Sequence, residues 1–234
     1  MTKDKMFIEF HVDNFYTDQE IKDTLKEIKG KYSVRSILIN ENQLRLAKYH
    51  FRDSSINIYI DYPLGISSSY IRLKKIERIA GKCKIVSIQA PSQHLINRKY
   101  DKIRKEIQDT IALLPNTEIR YILDYRKYNH SILVKFCSIL KEYNLHTIYP
   151  STGFFIDNIY DNILASKYLE KKSQIKSILN GNIWTKDHID LIIKSKPLAV
   201  SVQHIHSLYL LNNHEYNDES TEEEEEVIEY DTEK

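Results

Sequence analysis

The strongest constraint on the fold is an alternation repeated eight times: a short apolar run, then a longer segment in which apolar residues recur with helical spacing. Short runs of four to eight residues rich in Ile, Val and Tyr suit strands buried on both faces, and the 3.6-residue period suits helices covering them. The first predicted strand is Met6–Phe10. Its helix opens at Thr17-Asp18-Gln19-Glu20, a capping box, buries Ile21, Leu25 and Ile28, and is expected to cap at Gly30. The second strand is Val34–Ile39 with a short helix from Glu41, and the third is Ile56–Asp61 with a helix turning Tyr70, Leu73, Ile76 and Ile79 inward.

The fourth strand is Lys84–Gln89, and its helix carries Ile103, Ile107, Ile111 and Leu114 ahead of Pro115. The fifth is Ile119–Asp124 with a helix from Asn129 to Tyr143, and the sixth is His146–Pro150 with a helix from Asn158. The seventh is Gln174–Leu179 with a helix opening at Thr185, and the eighth is Leu198–His204 with a helix through Leu208–Leu211. Eight consecutive units without a domain-sized interruption predict an α/β fold, a (β/α)8 barrel over residues 1–213. With only five glycines, several tight turns must use Asn, Asp or Ser instead.

The remaining residues, 214–234, are of another kind. They hold eleven acidic residues against Lys234 alone, so the net charge of +1 divides into a body of +11, with 33 basic and 22 acidic residues, and a segment of −10. A block of like charge repels itself and is expected to be a solvated tail, or one that pairs with basic surface on this chain or on a protein partner. The outer-helix runs Arg72–Lys75 and Arg98–Lys105 are the expected docking faces. They carry no nucleic-acid-binding motif, and the 17 tyrosines are scattered, so nucleic acid is not an expected partner.

Cys83 and Cys137 have no metal-ligand spacing and read as buried, reduced thiols. No stretch approaches the 18 apolar residues of a membrane span, and Met1–Phe10 is too short in apolar residues for a signal peptide; a cytoplasmic protein is expected. His11, His204 and His206 could in principle meet at one end of a closed barrel, but isolated histidines are common there, and no metal is expected.

Within this frame, Tyr149-Pro150-Ser151-Thr152-Gly153-Phe154 resembles the sixth strand of the deoxyribose-phosphate aldolase family, which reads Lys-Thr-Ser-Thr-Gly. Tyr59-Ile60-Asp61-Tyr62-Pro63-Leu64-Gly65 is similar to the family's third strand, and Ile39-Asn40 with Leu46-Ala47-Lys48 to its second strand and helix. Ile122-Leu123-Asp124 is similar to the fifth strand, and Gly181 through Thr185 loosely resembles the Gly-Gly-Ile-Arg-Thr turn. The resemblance runs through most of residues 7–211. It implies a TIM barrel of class I aldolase type, a site at the C-terminal ends of the strands, and a small anionic or sugar-phosphate-like ligand.

The departures fall on the chemistry. The resemblance puts Tyr149 at the Schiff-base lysine and Lys84 at the proton-transferring aspartate, and a phenol cannot form an iminium with a carbonyl substrate. No serine pair follows the eighth strand, where the family's phosphate site has one. A catalytically inactive binding protein is therefore expected. Its alternative is an enzyme with a relocated lysine, Lys176 or Lys84, and Asp124 or Tyr149 handling protons. The candidate ligand-binding residues are Glu9, Asn40, Asp61, Ser151, Thr152, Gly153, Gly181 and His204, with His11, Gln89 and Arg126 also expected at the mouth. No cofactor is expected.

Overall fold

In a computed structural model of the chain, the described residues are 6–13, 15–154 and 158–217, with side chains described as far as residue 213. Eight parallel strands close on themselves in sequence order: β1 (Phe7–His11), β2 (Ser36–Ile39), β3 (Ile56–Ile60), β4 (Ile85–Gln89), β5 (Glu118–Ile122), β6 (Thr147–Tyr149), β7 (Lys176–Asn180) and β8 (Ala199–Val202). β1 pairs with both β2 and β8, which closes the barrel. Each predicted strand is present, with its ends moved by a few residues.

The covering helices are α1 (Asp18–Lys31), α2 (Leu44–His50), α3 (Ser69–Ile79), α4 (Ser92–Ile96), α5 (Tyr100–Leu113), α6 (His130–Glu142), α7 (Ile159–Ser173), α8 (Lys186–Ser195) and α9 (Ile205–Asn217). Local chemistry sets their starts. Thr17 and Glu20 form the capping box of α1, and Ser68, Asn129, Asn158 and Thr185 each accept a backbone N–H in the first turn of their helix. Such caps satisfy amide donors that the helix cannot, and replacing one by Ala typically costs about 1 kcal/mol.

Several expectations need correction. Helix α1 runs past Gly30 to Lys31 and caps at Tyr32, whose extended backbone needs no glycine. Tyr70 is 70% exposed, whereas Ile76 and Ile79 are buried as expected and Arg72 is fully buried beside them. Gln174 does not begin β7 but ends α7 in a left-handed conformation. Few of the tight turns use glycine, as the composition demands. Besides Asp61 and Asn144, however, Arg98, Gln174 and Lys196 also adopt positive φ. The helix after β8 continues to Asn217, past the expected boundary at 213, and residues 218–234 lie outside the described residues. Among the described residues, no helix is long and apolar enough to cross a membrane.

Because strand side chains alternate, two separate apolar groups result. Outward residues such as Phe10, Ile58, Val86, Ile148 and Val200 pack under the helices. Leu38, Tyr59, Ile122, Tyr149, Ile178 and Ala199 form a smaller cluster. Their places in the strand register put them on the inward face, with the buried polar residues Glu9, Ser36, Asn57, Ser87, Arg120 and Ser201.

Candidate functional site: the barrel interior and its mouth

The interior is organised by one buried ion pair. Arg120 and Glu9, both with fully buried side chains, approach to 2.6 Å from opposite sides of the barrel. The Tyr149 hydroxyl lies between them. It donates to Glu9 Oε2 at 2.7 Å and accepts from Arg120 Nη1 at 3.0 Å and Asn57 Nδ2 at 3.1 Å. Ser36 Oγ donates to Glu9 Oε1 at 2.9 Å, and Glu118, at the start of β5, takes Arg120 Nε at 2.8 Å. Two ions out of water hold together only when hydrogen bonds satisfy their remaining atoms, and this network does that for the carboxylate.

The electrostatics follow from this geometry. Burial, and then the neighbouring Glu9 carboxylate, push the Tyr149 phenol well above the usual tyrosine range, so it stays protonated. Burial alone would draw the Arg120 pKa down, but Tyr149, Glu9 and Glu118 outweigh it and carry it above the usual value. Arg120 Nη2, Ser87 Oγ, Ser201 Oγ and Asn57 Oδ1 are buried without a partner among the described residues. Such atoms normally meet ordered water.

Toward the C-terminal ends of the strands the chemistry becomes neutral. His11 is 2% exposed, and its ring meets Tyr59 and Tyr62 edge-on at 5.1 and 4.8 Å. Burial lowers its pKa to about 3, so the imidazole is uncharged at neutral pH. Gln203 Nε2 lies 3.3 Å from His11 Nδ1 and 3.4 Å from the Tyr62 hydroxyl. Tyr62 reaches across the barrel from the loop after β3 and donates to the Thr152 carbonyl at 2.9 Å. Asn180 Nδ2 donates to the same carbonyl at 2.7 Å, and Ser151 Oγ donates to the Asn180 carbonyl at 3.0 Å. A strap and a turn therefore close over this end.

Both are held from behind. Asp61, at φ 59°, accepts from the backbone N–H and hydroxyl of Ser67 and lies 3.6 Å from buried Arg72, which pairs in turn with Glu106. Gly65 lies so close to the start of α4 that a Cβ would stand 2.2 Å from the Ala90 carbonyl oxygen. In the turn after β6, Gly153 has φ +69°, and a Cβ there would meet Asn180 Oδ1 at 2.6 Å.

The predicted site residues therefore divide. Ser151, Thr152 and Gly153 do form the turn at the mouth. Glu9 and Tyr149 lie deeper, inside the interior network. Asn40 forms a capping box with Gln43, and Asp61 braces its own loop. The Gly181 N–H, expected to be available to a ligand, donates to the Ser201 carbonyl at 3.1 Å. His204 is exposed at the rim, where its ring lies 5.3 Å from that of Trp184. Asp124 is 2% exposed and sits between Arg126 at 3.0 Å and Lys127 at 3.4 Å, which occupies its carboxylate. Among the described residues, no three His, Cys, Asp or Glu side chains are grouped as metal ligands.

The two lysines need the largest correction. Lys84 precedes β4 and Lys176 is the first residue of β7, so both lie at the N-terminal ends of the strands, exposed, away from His11, Thr152 and Asn180. On β4 the inward positions are Ile85, Ser87 and Gln89, because alternation excludes Lys84 from the interior. The sequence reading missed Arg120, Asn180, Gln203 and Tyr62. For Arg120 the signal was present: in Glu118-Ile-Arg-Tyr-Ile122, residues 118, 120 and 122 share one face.

No family model matches the chain. It is 24% identical over 141 residues to a deoxyribose-phosphate aldolase of Actinobacillus succinogenes, a match spanning 59% of this chain and 62% of the relative. It is 22% identical over 185 residues to one of Clostridium botulinum, spanning 76% and 85%. Among solved structures it superposes on an aldolase named QR15 with a TM-score of 0.77 at 16% identity, covering 93% of this chain and 97% of that one. A deoxyribose-phosphate aldolase of Aeropyrum pernix gives 0.71 at 11% identity, covering 91% and 89%. By sequence and by fold, the chain is a homologue of the deoxyribose-phosphate aldolases, built on their TIM barrel.

Proposed function

We propose that this chain is a non-aldolase relative of the deoxyribose-phosphate aldolases, a binding protein that has lost the Schiff-base chemistry. The observation that carries the reading is the interior network. At the position the resemblance assigns to the reactive lysine, Tyr149 spends its hydroxyl on Glu9, Arg120 and Asn57. An aldolase of this type needs an unprotonated amine to attack a carbonyl and a nearby acid or base to move protons. A buried phenol supplies no amine, and one with its proton committed to Glu9 and its pKa raised by burial is a poor proton donor. Lys84 and Lys176 are exposed at the other end of the barrel, which counts against either as a relocated nucleophile.

The ligand class suggested by the relatives is a small sugar phosphate. At the mouth the chain offers neutral groups: the carboxamides of Gln89 and Asn180, the Tyr62 hydroxyl and uncharged His11. Both polar side-chain atoms of Gln89 and the Oδ1 of Asn180 are buried without a partner among the described residues. Amide and hydroxyl groups of this kind suit the hydroxyls of a sugar better than the dianion of a phosphate, whose cations would have to come from Arg126 and Lys127 at the rim.

Borohydride reduction in the presence of a panel of small aldehydes and ketones tests the reading. Intact-mass and peptide analysis should find no reduced adduct on any lysine, and a coupled acetaldehyde assay should find no cleavage of deoxyribose 5-phosphate. Tyr149→Lys alone should not restore cleavage, because neither the family's proton-transferring carboxylate nor its phosphate cradle would return with it, and the Glu9–Arg120 pair remains as it is. A stoichiometric adduct on one lysine, with turnover lost on its substitution, would establish an active enzyme instead.

A further inference from the structure

The strand-N-terminal end of the barrel carries charge that the body does not balance. In a (β/α)8 barrel every helix ends on this face. Lys171 and Lys172 end α7, Lys176 begins β7, Lys194 lies in the last turn of α8, and Lys196 follows it. All five are exposed, and none has an ion-pair partner among the described residues. β7 and β8 are neighbours, as are α7 and α8, so the five form one cluster.

The outer-helix runs differ. Arg72 is buried against Glu106 and Asp61, Lys74 pairs with Glu77, Arg104 with Glu142, and Lys105 with Asp109. Part of the charge on the expected docking faces Arg72–Lys75 and Arg98–Lys105 is thus already met within the body.

Helix α9 ends on the same face as the lysine cluster. It packs against α8, and the Asn212 carboxamide oxygen accepts from the Ser33 N–H at 3.2 Å, near the entry to β2. Beside it is a cavity of about 270 Å³ lined by Phe7, Val34, Arg35 and Asn212 among others, with Phe7 41% exposed. Asn217 is followed at once by the acidic residues, with Glu222–Glu226 in an unbroken run and then Val227, Ile228 and Tyr230.

We propose that this face is the docking surface of residues 218–234 of the same chain. Glu222–Glu226 pair with the lysines at the ends of α7 and α8, and the apolar residues that follow seat in the groove of Phe7 and Val34. Reach is sufficient: five residues of extended chain span about 17 Å, whereas packed helices stand about 8–10 Å apart. Several carboxylates over several ammonium groups form a network, which holds better than an isolated surface pair.

Zero-length carbodiimide crosslinking of the full chain, read by peptide mass spectrometry, tests this. At 10 mM salt, where the Debye length is about 30 Å, carboxylates of 222–226 should link to Lys171, Lys172, Lys176, Lys194 and Lys196. At 1 M, where it is about 3 Å, the yield should fall about tenfold. A mixture of isotopically light and heavy protein should give links within one copy. Replacing the five exposed lysines by Gln should remove the segment's ability to protect Phe7–Arg35 from hydrogen exchange at low salt. Links mainly to Lys74, Lys75, Lys102 or Lys105, links between copies, the absence of any link, or exchange protection unchanged in the five-Gln variant would each overturn the proposal.

Discussion

Glu9→Ala is the sharpest test of the interior. It removes the carboxylate from a fully buried Arg120 and takes away the acceptor for both Tyr149 and Ser36. Breaking a buried pair from one side costs about 3–5 kcal/mol, because the remaining charge is left uncompensated. The cost should fall near the lower end, since Arg120 keeps Glu118 at 2.8 Å, a carboxylate that is itself 42% exposed. For a domain of this size each kcal/mol moves Tm by about 2–4 °C, so a loss of about 3 kcal/mol should lower Tm by about 6–12 °C by calorimetry and be equally visible in the urea midpoint. Arg120→Met should cost a similar amount, as Glu9 is then left with hydroxyl donors only. The double variant Glu9→Leu/Arg120→Met should recover most of the loss, since well-packed apolar replacements of buried ion pairs are often neutral or stabilising. If both single variants lose less than about 1 kcal/mol, or the double variant is worse than their sum, the pair is not the buried, mutually dependent unit described here.

His11 gives a pH signature. Its pKa is about 3 when folded and about 6.5 when unfolded, so its contribution is complete above pH 6.5 and is lost as pH falls toward 3. The slope is about 1.4 kcal/mol per pH unit, or about 2 kcal/mol between pH 6.5 and 5. Urea titrations at pH 7 and pH 5 should show that drop in the parent chain and a flatter profile in His11→Gln; identical profiles would contradict it. Gly153→Ala should cost more than Gly81→Ala although both have positive φ. A methyl at 153 meets Asn180 Oδ1 at 2.6 Å, whereas one at 81 meets nothing within 4 Å. About 1–3 kcal/mol is expected at 153 and about 1 kcal/mol at 81, and equal losses would show that the turn relaxes freely.

The number, order and approximate ends of the eight strands were legible in the sequence because a strand buried on both faces leaves an unmistakable apolar run. Helix starts at Thr17, Asn129, Asn158 and Thr185 were legible because capping is local chemistry. What stayed hidden depends on which end of a strand a residue occupies and which way it points. Lys84 and Lys176 sit one residue before and at the start of their strands, and it was their match to reactive positions of the family, not the strand ends, that put them at the mouth. Asp61 and Asn40 stand at the C-terminal ends of strands, as a ligand-binding residue would, yet they serve their own loops. The partners that claim them, Ser67, Arg72 and Gln43, could be assigned only once the loops were folded. Arg120 was overlooked because a long basic side chain in an apolar run is usually taken for a solvated one, and its partner Glu9 is 111 residues away.

The Tyr62 strap has a kinetic consequence. Tyr62 lies against His11, held to the Thr152 carbonyl and approached by Gln203, so a molecule entering the interior by this side would have to displace the ring. These two hydrogen bonds, at about 1 kcal/mol each, hold the open form to about one part in thirty at most, and the ring contacts with His11, Tyr59 and Phe154 lower it further, with the apparent affinity falling by the same factor. Binding would then obey a pre-equilibrium: the observed association rate rises with concentration and levels off at the rate at which the strap opens. Tyr62→Phe, which keeps the ring and removes the hydroxyl, should raise that ceiling while leaving the lining beneath it unchanged.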